Sequence, residues 1–190
     1  MCGIAGLFVS NGTRTPSNLR LSLEQMNATI THRGPDGDGF WVSDTGRIGL
    51  AHRRLAIIDL SDEAAQPMSN IDGSLQLTFN GEIYNHVDLR LELEAAGHSF
   101  KTDHSDSEVL IHGYKVWGID GLVKRLDGMY AFAIWDVNSN KLVLARDRIG
   151  IKPLYFSKVG GMFRFASEIK AILSDSDFPR ETDNVALNHY

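Results

Sequence analysis

Cysteine is almost missing from this chain: Cys2 is the only one in 190 residues. No intrachain disulfide can form, which points to a reducing compartment, the cytoplasm. Positive charge is also short. Lys and Arg number 19 against 24 Asp and Glu, so the net charge is -5 and no basic field invites a nucleic acid partner. Long apolar runs are absent, and nothing approaches the ~20 residues of a membrane helix. The opening Met-Cys-Gly-Ile-Ala-Gly-Leu-Phe-Val-Ser has neither the basic start nor the apolar stretch of a signal peptide. The chain holds seven histidines, but none shows His-x-x-x-His spacing, and a lone cysteine rules out Cys-x-x-Cys, so no metal site is expected. Internal repeats, low-complexity tracts and clear linkers are lacking too.

What is present is an ordinary globular balance, 43% hydrophobic and 23% charged. A chain of this length can bury a sizeable core without covalent cross-links. Strand-like runs fall at Ile4–Val9, Phe40–Val42, Ile48–His52, Leu55–Asp59, Leu75–Asn80, Met129–Asp136, Leu142–Ala145, Leu154–Phe156 and Met162–Ala166. Several alternate with period 2, and Val137–Lys141 reads as a hairpin turn. Helical spacing places Leu19, Leu23, Met26 and Ile30 on one face of a helix starting near Ser17. Leu89, Leu93 and Ala96 mark a second helix stopped by Gly97. Val109, Gly113, Val116 and Trp117 mark a third, ended by Gly118, and Ser105-Asp-Ser-Glu108 before it has the capping-box pattern. Ser167–Leu173 begins a fourth. Hairpin-linked strands and helices in separate blocks predict α+β architecture with antiparallel sheets covered on one face by helices.

Four features carry chemistry. Cys2 follows the initiator Met, and its small side chain lets the cell's aminopeptidase remove Met1. The residue then bears both a thiol and a free α-amine titrating near ~8, a known pairing of nucleophile and base. A small buried hydrophobe is the plain alternative. In His52-Arg-Arg-Leu-Ala-Ile-Ile-Asp59, Arg53 and Arg54 face opposite sides of a strand, so one can face a pocket and fork onto a carboxylate. A structural ion pair, the commoner role for an arginine, is the plain alternative. In Asn80-Gly-Glu-Ile-Tyr-Asn85, the Asn80 amide and the Gly81 N–H can form an oxyanion hole, although Asn-Gly is also a hairpin signal. Asp106 opens the third helix. With Ser105 and Glu108 assigned to the capping box, Asp106 is available for a cation such as an amino group. His32-Arg-Gly-Pro-Asp36 is a tight turn or a pocket wall.

Together these segments resemble a known family, the N-terminal glutaminase domain of glutamine-hydrolysing asparagine synthetase, a class II glutamine amidotransferase. The resemblance rests on Met1-Cys-Gly-Ile-Ala-Gly6, His32-Arg-Gly-Pro-Asp-Gly37, Arg54-Leu-Ala-Ile-Ile-Asp-Leu-Ser61 with Gln66-Pro-Met68, and Phe79-Asn-Gly-Glu-Ile-Tyr-Asn85. It continues through Ser105–Glu108, Asp127–Ala133, Ala145–Tyr155 and Phe165–Lys170, in order over nearly the whole chain. It implies a four-layer αββα sandwich of the N-terminal-nucleophile type spanning residues 1–190. It further implies that Cys2 attacks the side-chain amide of L-glutamine, that its α-amine is the base, and that Asn80 and Gly81 hold the oxyanion. Arg54 would bind the substrate α-carboxylate. Asp106 and Glu82 would receive the α-amino end, with the backbone of Ile57 and Ile58 nearby. Neither a Walker loop nor a Ser-Gly-Gly-x-Asp-Ser loop occurs here. No cofactor is therefore expected in this domain, ATP and magnesium belonging to a synthetase domain that would follow in a longer protein. The acceptor of the ammonia, aspartate or another carboxylate such as a sugar acid, is left open. So is the oligomeric state, a homodimer included. If Met1 stays attached, the Cys2 amine is locked in a peptide bond. The phosphoribosyl-pyrophosphate and glucosamine-phosphate amidotransferases also begin Cys-Gly-Ile, but their arginine segment differs. The segment Arg146–Pro153 reads as a solvated hairpin or as a face toward the partner domain.

Overall fold

The computed structural model describes residues 1–10, 14–56, 62–182 and 184–188, the side chain of Ala186 excepted. In chain order its elements are β1 (Gly3–Val9), α1 (Pro16–Thr29), β2 (Gly37–Val42), β3 (Ile48–Arg54), β4 (Met68–Ser69), β5 (Leu75–Ile83) and α2 (His86–Ala95). There follow α3 (Asp106–Arg125), β6 (Gly128–Asp136), β7 (Lys141–Arg146), β8 (Tyr155–Val159), β9 (Met162–Ala166), α4 (Ile169–Ser174) and α5 (Asn184–Asn188). The strands form one sheet of five in the order β2-β3-β1-β9-β8 and one of four in the order β4-β5-β6-β7. Every strand pairing is antiparallel.

Three apolar clusters define the layers. On β1, Ala5, Leu7 and Val9 turn toward Leu19, Leu23 and Met26 of α1 and Ala171 and Ile172 of α4. On β5, Leu75, Leu77, Phe79 and Ile83 turn toward Leu89 and Leu93 of α2 and Val109 and Leu110 of α3. The opposite faces meet in the middle. There Ile4, Ile48, Leu50 and Phe165 pack on Ala131, Ala133 and Trp135. Strand period 2 sends alternate residues to the two faces, so each sheet is buried on both sides and the result is a four-layer αββα sandwich, α+β as the alternation predicts. No helix among the described residues is long and apolar enough to cross a membrane.

The elements agree with the sequence in type and depart at several ends. Thr15 caps α1, its hydroxyl accepting the Asn18 N–H at 3.2 Å, with Pro16 at the first helical position. Helix α2 ends as Gly97 predicts. The Gly97 N–H donates to Glu94 O at 2.9 Å and the His98 N–H to Leu93 O at 3.0 Å, a Schellman ending with Gly97 at φ 90°. The stop at Gly118 becomes a kink instead. Gly118 has φ 63° and ψ -179°, and the helix resumes beyond it to Arg125. Leu122 on the second segment is fully buried, so burial draws the chain on where local signals end it. The strand expected at Leu55–Asp59 does not start: β3 stops at Arg54, and Leu55 and Ala56 are irregular. Positions 57–59 of that run lie outside the described residues.

Candidate functional site

One pocket of about 130 Å3 opens where the ends of β1 and β3 meet β5, and Cys2, Arg54, Asn80, Gly81, Glu82 and Asp106 all line it. These come from four chain segments between positions 2 and 106, brought together by the sandwich. The backbone of Ile57 and Ile58, expected beside them, lies outside the described residues.

Cys2 precedes β1 on the face of Ile4, which looks into the space between the sheets. Its Sγ accepts the Leu55 N–H at 3.4 Å and lies 3.6 Å from Leu55 O. The Cys2 carbonyl accepts Arg33 Nε at 3.0 Å. Glu168 holds that guanidinium in turn, at 3.1 Å, and takes a second bond from His32 at 2.8 Å. The Arg33 guanidinium leads the polar contacts that hold the Glu168 carboxyl low, at about 2 against the cost of burial. His32 and Arg33 of the turn thus clamp the first residues of β1 rather than entering the pocket lining.

The arginine pair separates as the strand period requires. Arg53 turns to the helix side, where Nε donates to Asn27 O at 3.2 Å and Nη1 lies 3.7 Å from Asp38. Arg54 shares its face with His52 and lines the pocket. His52 is a site residue that motif reading passed over, although it stands two positions before Arg54 on the same strand face. Its Nε2 donates to Phe79 O at 3.1 Å. Burial, with help from the Arg54 charge, lowers its pKa to about 4, so it is neutral at pH 7.

Asn80 and Gly81 present two donors to the pocket. Asn80 is 1% exposed, and its Nδ2 has no hydrogen-bond partner among the described residues. A buried amide donor without a partner is costly, so the geometry favours a ligand oxygen there. The Gly81 N–H follows from ladder parity. Gly81 pairs with Tyr130. The backbone of Tyr130 turns to the other side, its O accepting Asp147 N–H at 2.8 Å and its N–H donating to the Asp147 carboxylate at 3.3 Å. Gly81 therefore directs its N–H to the opposite edge of β5. Two residues either way on that edge, Phe79 N–H donates to Gln66 Oε1 at 2.6 Å and Ile83 N–H to Asp106 Oδ2 at 3.0 Å. Only glycine fits at 81, since a Cβ would stand 2.4 Å from Met129 O and 2.7 Å from the Phe79 ring. The hairpin alternative for Asn80-Gly81 falls, because both lie inside β5.

Asp106 is 7% exposed. Burial raises its pKa above the ordinary carboxylate range, against the Ile83 N–H bond that lowers it. A carboxylate in this state gains from a neighbouring cation. The capping box that was to leave it available does not form. Ser105 makes no capping bond to the helix; its hydroxyl meets that of Ser107 at 2.7 Å. Glu108 reaches back to the loop and accepts the N–H groups of Lys101 and Thr102 at 2.8 and 2.9 Å. The start of α3 is fixed by Glu108 and Asp106 themselves.

The chain matches the model of the glutamine amidotransferase domain over residues 1–190. It is 42% identical over its full length to asparagine synthetase [glutamine-hydrolyzing] 1 of Bacillus subtilis, and 44% identical over 92% of its length to the probable asparagine synthetase of Dictyostelium discoideum. It spans only 29% and 30% of those two proteins. Among solved structures, the glutamine phosphoribosylpyrophosphate amidotransferase of B. subtilis with ADP and GMP superposes with a TM-score of 0.72 at 27% identity, over 91% of this chain and 43% of that one. The superposition accords with the N-terminal-nucleophile fold of the resemblance. A family model matching every residue, relatives above the identity at which family is secure, and a shared fold lead to one conclusion: the chain belongs to the glutamine amidotransferase domain family.

Proposed function

We propose that residues 1–190 form one amidotransferase domain of a longer protein, which hydrolyses L-glutamine to glutamate and ammonia through a thioester on Cys2. The observation that carries this reading is the convergence of Cys2, Arg54, Asn80, Gly81 and Asp106 on one pocket. Arg54 takes the substrate α-carboxylate, and Asp106 with Glu82 takes the α-ammonium, which sets the carboxamide against Cys2 Sγ.

With Met1 removed, the Cys2 α-amine accepts the thiol proton through a water as sulfur attacks the carboxamide carbon. The oxyanion of the tetrahedral adduct is held by Asn80 Nδ2 and the Gly81 N–H. Collapse breaks the C–N bond, and the amine returns its proton to the departing ammonia. Water, deprotonated by the same amine, then attacks the thioester and frees glutamate and the thiol. Two relatives named asparagine synthetase at 42% and 44% identity support aspartate as the ammonia acceptor, in a synthetase domain that uses ATP and magnesium in the cytoplasm. Amidation of another carboxylate, such as a sugar acid, is the rival for that step. A module that merely docks on a synthetase is disfavoured by the complete set of donors in the pocket.

Glutamate release from the processed protein tests the reading. Cys2→Ala should abolish turnover yet still bind glutamine in calorimetry. Asn80→Ala should lower kcat by roughly 10²–10³ with an unchanged melting temperature. Full activity in Cys2→Ala would remove the nucleophile assignment. Asparagine formed from aspartate and ATP by the full-length protein, against none from a sugar acid, decides the acceptor.

A further inference from the structure

Lys152 lies far along the chain from every other charged residue of the pocket, yet it lines that pocket with Cys2, Asn80 and Gly81 and is only 6% exposed. Its ammonium contacts the sulfur of Met1 at 3.4 Å. Among the described residues no carboxylate lies within ion-pair distance of it. A buried ammonium without a counter-charge is costly and is seldom kept without a purpose.

The loop before it is built to hold it there. Asp147, 6% exposed, accepts the Lys152 N–H at 2.9 Å and the Ile151 N–H at 2.8 Å. The same carboxylate takes the Tyr130 N–H at 3.3 Å, which ties the loop to β6 beside Gly81. Arg146 Nε closes the loop on Lys152 O at 2.7 Å. The backbone of Lys152 is thereby fixed to the sheet that carries the oxyanion donors, and its side chain is directed at the N-terminal residue.

Building on the proposed glutaminase reaction, we infer that Lys152 is a further residue of this site: once Met1 is removed, its ammonium stands beside the α-amine of Cys2 and keeps that amine in its neutral, proton-accepting form. The reasoning is electrostatic. Met1 joins Cys2 by one peptide bond, and its sulfur touches Nζ, so the freed amine lies within a methionine side chain and one contact of the lysine charge. Met1, Cys2 and Lys152 line one pocket, and a like charge beside the amine disfavours its protonated form. It also favours the oxyanion. Among the described residues, the other charged groups around the amine are Arg54, Glu82 and Asp106 on the pocket wall, Arg33 on the Cys2 carbonyl, and Glu168 behind Arg33. His52 is neutral. Of the cations, Arg54 is assigned to the substrate carboxylate and Arg33 is neutralised by Glu168, which leaves Lys152 to act on the amine.

The test is the pH profile of glutamate release from L-glutamine by enzyme whose Met1 removal is verified by mass spectrometry. Wild-type protein that releases no glutamate would sink the glutaminase reading itself. With wild type active, Lys152→Met should move the acid limb of kcat/KM up by about one pH unit, a loss of about tenfold below neutrality that closes above about pH 9. Lys152→Arg keeps the charge and should keep the limb. Should the Met variant melt early, Lys152→Gln carries the same expectation, and 15N titration of the α-amine reads the effect without turnover. Superimposable limbs for the Met or Gln variant and wild type would overturn the inference, as would an equal displacement in Lys152→Arg.

Discussion

His52 shows how one side chain joins stability to chemistry. It is 1% exposed, and burial holds its folded pKa at about 4 against an ordinary 6.5. Between those values the unfolded chain binds the proton and the folded one does not. Stability is therefore full above the unfolded value and falls as the pH drops from 6.5 toward 4, by an amount on the order of 3 kcal/mol. His52→Asn should make the decline in melting temperature across that window shallower. Glu108 titrates in a lower window, since its carboxylate is held at about 2 by bonds from His112, Lys101 and Thr102 in spite of burial. It meets the His52 range only at the lower end, whereas His98, lowered by burial and by the His112 and Lys115 charges, adds to the loss within it. A melting temperature that still declines in parallel with wild type between these pH values would show that another group is responsible. At this scale the residues that carry the site were legible where a motif combined a reactive group with a permissive neighbour, as in Cys2-Gly3 and Asn80-Gly81. His52 and Lys152 were not. A histidine on a strand and a lysine in a loop have no local signature, and each becomes a pocket residue only through what packs beside it.

Among the elements, α3 is the one whose sequence and structure disagree most usefully. Gly118 predicts an end and produces a kink, with φ 63° and ψ -179° in a region reserved to glycine. A Cβ there would meet nothing within 4 Å. The cost of Gly118→Ala is then backbone strain alone, about 1–3 kcal/mol, measurable by urea denaturation, and glutaminase KM should not move. A neutral substitution would mean that the chain relaxes to an uninterrupted helix. Elsewhere the elements were legible where a single face is apolar, as in α1, β5 and β6. Short strands such as β4 were not, because two residues carry no period. Leu55–Ala56 read as a strand because the run is apolar, but the Leu55 backbone is engaged with Cys2 Sγ instead of a ladder.

For the molecule as a whole, the far side of the five-stranded sheet is held by charge inside the core. Arg164 on β9 and Asp175 just beyond α4 are 1% and 0% exposed, with Nε and Oδ2 2.6 Å apart. The Ser22 hydroxyl donates to the same carboxylate at 3.0 Å, which brings α1 into the contact. Removal of one partner leaves a buried charge alone, so Asp175→Ala should lower stability by about 3–5 kcal/mol. Urea denaturation monitored by circular dichroism checks this, and a change below 1 kcal/mol would show that water reaches Arg164.

The amino-acid sequence alone determined the facing of Arg53 and Arg54 and the layered antiparallel architecture, since each follows from period 2, and it singled out Cys2, Asn80 and Gly81, which line the pocket, by their local chemistry. Tertiary structure alone decided which groups meet. Cys2, Asn80, Asp106 and Lys152 stand on four separate segments. Their proximity is set by the packing of two sheets across the cluster around Ile4 and Ala131, a long-range product of burial that no short stretch of sequence encodes.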